Sequence, residues 1–434
     1  MSELLTPSPP VYSLPSCVPS YSSLPLANEE TVQYTPRQGT TSNPHGTFVR
    51  KWPQATLILK DQDPSSRLPS YGRHGVVCGE LGLTNPEKVV EVTLKLAGRM
   101  SCILSDDGTV LTPVVSESVI LWKADSPEAP KNHRCPTSMP FILRFPQTFQ
   151  TEGKSWSIPP SFEATFLGIP ALFVRCTYTL SIEITKTRQS RLTLWPASKT
   201  YITLLHYRPR TRPNRPIFRC DSIFRSIKPV PEEWLQLVST MNVRPKSKLK
   251  PIDCHFVVPS IQAYALTDSI PFHIQLCSSL ASLRELLPST SVLLKPPVSG
   301  GDGIKWITDD RPGDTVIRVY IARQVVLEMN SKRRFRTLVI GNAKLKPVPP
   351  LVTKSQDTLS SDEVHIDWEG EVRCRSEVSC GGFSVGGLIV KDFLVLSLTP
   401  SSPRSSPLLP LQLAHPIKLV TDSWDDDLLH PHDT

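Results

Sequence analysis

Glycine is scarce in this chain and proline is not: 20 glycines stand against 44 prolines in 434 residues. Prolines scattered at that density exclude long helices almost everywhere, because each removes a backbone donor and collides with the preceding turn. There is no run of 18 apolar residues, so no membrane-spanning helix is expected. The ten cysteines (positions 17, 78, 102, 135, 176, 220, 254, 277, 374 and 380) form no C-x-x-C, and the nearest pair, Cys374 and Cys380, has no companion pair to complete a zinc site. The start of the chain is polar and proline-rich rather than a secretory signal. These absences lead us to expect a reducing, cytoplasmic setting with buried free thiols, no metal and no cofactor.

What remains reads as an all-β protein. At about 100 to 200 residues per domain, the length suggests two folded domains plus tails. The stretch Val378 to Trp424 shows the pattern best. Leu388 to Leu398 is rich in Val, Leu, Ile and Phe, with Lys391 and Asp392 its only charges, glycines at 381, 382, 386 and 387 precede it, and Pro400 ends it. A second apolar segment, Leu411 to Val420, follows after Ser401 to Pro410. This predicts a β-hairpin with a long tip.

Upstream, residues 1–48 hold eight prolines, eight serines and only four charges, the composition of a disordered tail. Within them Pro9-Pro10-Val11-Tyr12 is a P-P-x-Y sequence. Adjacent prolines favour polyproline II, whose rings slot between the aromatics of a WW-type groove, and the tyrosine is a second anchor. Strands are expected at Ala55 to Lys60, Gly75 to Leu83, Val89 to Leu96, Ser101 to Leu104 and Val114 to Lys123. A turn at Asp106-Asp107-Gly108 and an alternating strand over Ala171 to Thr187 follow. A second series, from Cys254 to Val372, leads to the hairpin. We therefore place a first sandwich at 49–225, a basic linker at 226–251 with a short helix over Pro231 to Val238, a second sandwich at 252–424 and an acidic tail at 425–434.

Charge is concentrated rather than spread. Lys186 to Lys250 contains 15 Lys or Arg against 3 acids, a local excess of +12 in a chain of net +8. Its centre, Tyr207 to Pro216, alternates arginine with proline. This predicts an exposed cationic loop whose Arg208, Arg210, Arg212 and Arg215 are available to carboxylates, phosphates or an anionic membrane surface. Aromatics are not interleaved with these cations as stacking platforms, so nucleic acid is not the expected partner. Gly382-Phe383-Ser384-Val385-Gly386 matches G-x-S-x-G, with Asp392 and His415 following in hydrolase order. A nucleophile elbow, however, needs a helix directly after the serine, and the residues after Gly387 are strand-like.

The order of motifs resembles a known family. The early G-x-V-x-G-E strand from Gly75, V-T-L-K-L-A-G, P-F-x-L-x-F-P, x-P-P-S-F and V-x-C-x-Y-x-L-x-I are similar to the first domain of arrestin-like proteins of the fungal α-arrestin type. P-F-x-I-x-L, D-W-x-G, S-C-G-G-F and H-P-I-K-L-V-T-D-x-W resemble the second, so the likeness spans about residues 50 to 424. It implies two immunoglobulin-like antiparallel β-sandwich domains in tandem, the arrestin fold, and a non-enzymatic adaptor with no catalytic residues. It also implies cytosolic tails of membrane proteins as cargo and a HECT-type ubiquitin ligase recruited through a WW domain, here by Pro9, Pro10 and Tyr12. The place of work would be the cytoplasm, peripherally at plasma membrane or endosome. Family members commonly carry several such motifs in a C-terminal tail, whereas this chain has one, near its N-terminus. An arrestin-fold scaffold without ligase recruitment and a Ser384 hydrolase are the alternatives.

Overall fold

The computed structural model describes residues 46–64, 66–124, 134–151, 153–186, 197–287, 316–348 and 363–424. Pro9, Pro10 and Tyr12, and the acidic tail at 425–434, lie outside the described residues. Nearly every described element is a strand, and the architecture is all-β.

The first core lies between two sheets. One has four strands, ordered Gly46–Lys51, Ala55–Gln62, Val76–Leu83 and Ser138–Arg144. The other runs Ser70–Tyr71, Ala197–Tyr207, Leu172–Lys186, Val89–Leu104 and Gly108–Lys123, with Phe162–Phe166 beside Leu172–Lys186. The alternation legible in the sequence is the burial pattern observed. Val174, Cys176, Tyr178, Leu180, Ile182 and Ile184 all face inward from one strand, as a period of two requires. Residues 101–104 are not a separate strand but the end of Val89–Leu104, which pairs from Glu91 onward with Gly108–Lys123. Gly46 to Phe48, expected in the tail, belong to an edge strand that pairs with Ala55–Gln62.

The second core lies inside one ten-stranded sheet curled over itself. Its order is Trp234–Met241, Ile252–Pro259, Ile270–Ser279, Glu363–Val372, Lys332–Val348, Ile317–Met329, Leu388–Leu398, Leu411–Val420 and Ala263–Ala265, with Phe383–Val385 beside Leu388–Leu398. The predicted hairpin is there, Leu388–Leu398 against Leu411–Val420. Its tip is tied down rather than loose, because Leu408 is buried in the core and the Arg244 guanidinium donates to the carbonyls of Pro403 and Ser406. Arg244, read as part of a basic linker, is therefore a structural clamp.

The helix expected over Pro231 to Val238 is corrected. Pro231–Glu233 makes one 3-10 turn, and Trp234–Met241 is a strand pairing with Ile252–Pro259. Proline and two acids do start a turn here. The following residues then alternate half-buried and exposed with a period of two, and the open edge of the sheet offers them a full ladder. A seven-residue helix that the sequence did not announce, Leu280–Leu286, is capped by Ser279, whose hydroxyl accepts from the Ser282 amide.

Eight of the nine described cysteines are buried or half-buried free thiols. Burial pushes Cys102 up to about 11 and Cys254 up to about 12, so these thiols stay protonated and unreactive at neutral pH. Among the described residues no helix is long and apolar enough to cross a membrane, and no group of three or more His, Cys, Asp or Glu side chains is placed to hold a metal ion.

Tyr178 anchors the first core. It is fully buried, its hydroxyl donates to the Pro159 carbonyl, and its ring meets Phe145 edge-on at 5.7 Å and Tyr207 at 5.3 Å. Gly98 makes room for it, because a Cβ there would lie 2.6 Å from the tyrosine ring and 2.9 Å from Val114. Gly98→Ala is accordingly expected to destabilise the protein by about 1–3 kcal/mol, read as a lowered thermal midpoint, because neither neighbour can retreat in a filled core.

Candidate functional site

Two strands serve both cores. On Ile317–Met329, Ile317, Val319 and Ile321 enter the second core, while Val325, Leu327 and Met329 enter the first. Leu388–Leu398 divides the same way, with Leu394, Leu396 and Leu398 in the second core and Leu388 and Val390 in the first. In each strand the inward row is interrupted once, by Arg323 and by Asp392, and these two are direct register partners. The guanidinium grips the carboxylate through Nε to Oδ1 at 2.7 Å and Nη2 to Oδ2 at 3.0 Å, and Nη2 also donates to the Cys380 carbonyl at 2.8 Å. Arg323 is 4% exposed and Asp392 2%. Burial alone would lower the Arg323 pKa, but the facing Asp392 carboxylate outweighs it and raises it.

Around this seam the two halves are clasped at the surface. The turn at Asp106 and Asp107 meets the hairpin that starts at Lys332, through Asp107 to Lys332 at 2.9 Å and Asp106 to Arg334 at 3.1 Å. Arg336 donates to the Pro170 carbonyl at 2.6 Å, and Phe162 packs edge-on against Phe383 at 5.3 Å.

The cationic stretch lies on the same passage between cores. Tyr207 is rooted in the first core, and the Thr211 amide bonds the Thr421 hydroxyl at the end of the last strand. The four predicted contact arginines are not equivalent. Arg210 pairs with Asp422 at 2.8 Å, with Arg212 at 3.9 Å from the same oxygen. Arg215 grips both oxygens of Glu233 at 2.8 and 2.9 Å and donates to Ser260 at 2.6 Å. Arg208 is exposed and forms no ion pair among the described residues. Arg208 and Arg210 are exposed, as expected of the loop, while Arg210, Arg212 and Arg215 also make ion pairs.

The serine of the G-x-S-x-G match does not sit on an elbow. Ser384 lies in the strand Phe383–Val385, which turns through Gly386 and Gly387 straight into Leu388–Leu398. Gly386 has φ +54°, as the first residue of a two-residue hairpin loop requires. Register also splits the supposed triad. Ser384 opposes Ile389, whereas Asp392 and His415, the latter opposite Leu394, belong to the core-facing row. Directly opposed side chains share a face, so Ser384 points away from both. Asp392 is in any case bound to Arg323.

Arg323 is the buried partner of Asp392 that reading the sequence passed over. Its signal was there, a single charge at an inward position of an otherwise apolar alternating strand. No protein-family profile and no curated protein matches this chain.

Removing one charge of the buried pair strands the other. Asp392→Ala is expected to destabilise by about 3–5 kcal/mol, while the double change Arg323→Met with Asp392→Leu loses far less, because the inward rows then run unbroken. Thermal or urea unfolding of the three proteins checks this.

Proposed function

We propose that the chain is a non-enzymatic trafficking adaptor of the arrestin-like kind, which binds cytosolic tails of membrane proteins and brings a HECT-type ubiquitin ligase to them. The observation that carries the reading is the pairing of one P-P-x-Y sequence, Pro9, Pro10 and Tyr12, with an all-β body built on two cores. Such a body supplies broad surfaces and a rigid seam, and the motif supplies a portable hook that needs no reacting groups. One short motif binds weakly alone, so useful occupancy draws on avidity from cargo or membrane. The place of work that follows is cytoplasmic, peripheral at plasma membrane or endosome.

Cargo or lipid contact falls first to Arg208, since Arg210, Arg212 and Arg215 are already engaged with Asp422 and Glu233. An acidic or phosphorylated tail meeting the connector finds there a guanidinium with no ion pair among the described residues, able to grip an oxyanion through two donors.

Two measurements test this. Full-length protein is expected to bind an isolated ligase WW domain, and Tyr12→Ala is expected to weaken binding about tenfold or more, as loss of an aromatic anchor does. If neither form binds, the scaffold reading without ligase recruitment takes its place. Arg208→Ala is expected to reduce binding to acidic peptides or anionic vesicles, more at low salt than at high, and to leave the thermal midpoint unchanged. Arg215→Ala is expected to lower that midpoint.

A further inference from the structure

The connector is held to the outer face of the second sandwich by a cluster that no motif announces. On Ile270–Ser279, Phe272, Ile274 and Leu276 face the core, so His273 points to the other side, yet it is only 1% exposed. The neighbouring strand Glu363–Val372 sets Glu369 opposite His273 and Asp367 opposite Gln275. His273 Nε2 lies 2.9 Å from Asp367 Oδ1, and Nδ1 lies 3.6 Å from Glu369 Oε1. The Phe224 ring roofs the imidazole at 5.4 Å and 30°. Glu369 also accepts from the Phe224 amide at 3.2 Å and the Ser222 hydroxyl at 3.1 Å. The carboxylate that faces the imidazole therefore also holds the start of the short helix Ile223–Ser226.

The remaining charged and titratable groups near the cluster are few. Lys346 stands opposite Glu369, and His365 precedes Asp367 by two residues on the same strand. His255 stands opposite Gln275 with its ring bonded to Gln236. The helix contributes Arg225 in its last turn. Burial alone would raise the Asp367 carboxyl, but hydrogen bonds from His273 and Gln275 outweigh it and hold that group below the usual range. Asp367 thus stays an anion through the range in which histidine titrates.

In the neutral ring Nε2 donates to Asp367, and Nδ1, which has no hydrogen-bond partner, turns a lone pair toward a carboxylate. A proton on Nδ1 converts that contact into a charge-assisted donor aimed at Glu369. We propose that His273 is a proton-operated latch: when protonated it ties Glu369 to Asp367 and fastens the Ser222–Ile227 segment, and with it the arginine connector, to the second sandwich. Docking is tighter with the ring protonated than with it neutral, because only the protonated ring donates to both carboxylates. The latch does not depend on the adaptor reading.

Hydrogen exchange of the full-length protein at about pH 5.5 and about pH 7.5, corrected for intrinsic exchange, tests this. The amides of Ile227 and Val230, which bond the carbonyls of Ile223 and Ser226, are expected to be about tenfold better protected at the lower pH, the worth of one charged hydrogen bond. Glu369→Gln keeps an acceptor for Phe224 and Ser222 but no charge, and His273→Asn cannot be protonated. Both are expected to show the same protection at the two pH values, with the strand Ile252–Pro259 as the internal reference for folding. A wild-type protein without the pH step, or a Glu369→Gln protein that retains it, overturns the proposal.

Discussion

The bidentate grip of Arg323 on Asp392 sits where two cores meet, and the relation of those cores depends on it. Two long strands pass from one hydrophobic interior into another, and apolar rows alone would tolerate a slip of two residues along either strand. A fork that must face its carboxylate and also reach the Cys380 carbonyl is satisfied in one register. Buried ion pairs contribute little net stability against an apolar replacement. What this one adds is geometry: it fixes which residues lie on each side of the crossing and thereby how the first sandwich is seated on the second.

The connector follows from that seating. Once the cores are held in one relation, a proline-broken chain from Tyr207 to Trp234 has to cross the outside of the second sheet. It does so through contacts spaced along its length, at Asp422, at Ser260 and at Glu369, with the Arg215–Glu233 pair bracing the segment internally. Each replaces a regular ladder that proline denies the segment. The basic composition of the stretch is therefore partly structural, since most of its central arginines are matched by Glu233 within the connector and Asp422 just beyond the last strand.

The strands were legible because alternation was strong. Val174 to Ile184 and the hairpin from Leu388 to Val420 could be read from the period alone. Trp234 to Met241 was misread because proline and two acids at its start favour a helical turn, and only the unfilled edge of a sheet decides the matter. Leu280–Leu286 was missed because its signal is one serine cap on a short segment. Asp392 was visible as an interruption, but its partner 69 residues away was not. Pairing across such a separation is a tertiary fact. The same holds for His273, whose neighbours Asp367 and Glu369 come from another strand and whose roof comes from the connector. As for the site, composition located the arginines but not their partners, because local sequence does not show that Asp422 lies beside Arg210.

Sharing strands between cores also orders events during synthesis. The sheets of the first sandwich are complete by Tyr207, yet its interior is closed by Val325, Leu327 and Met329 and by Val385, Leu388 and Val390. More than a hundred residues must leave the ribosome before the first of these arrives. During that interval the nascent first half presents the apolar surface those side chains later cover, the kind of exposure that holds domains on chaperones and penalises premature release. The first core can close only once the strands carrying these residues, Ile317–Met329 and Leu388–Leu398, have been made.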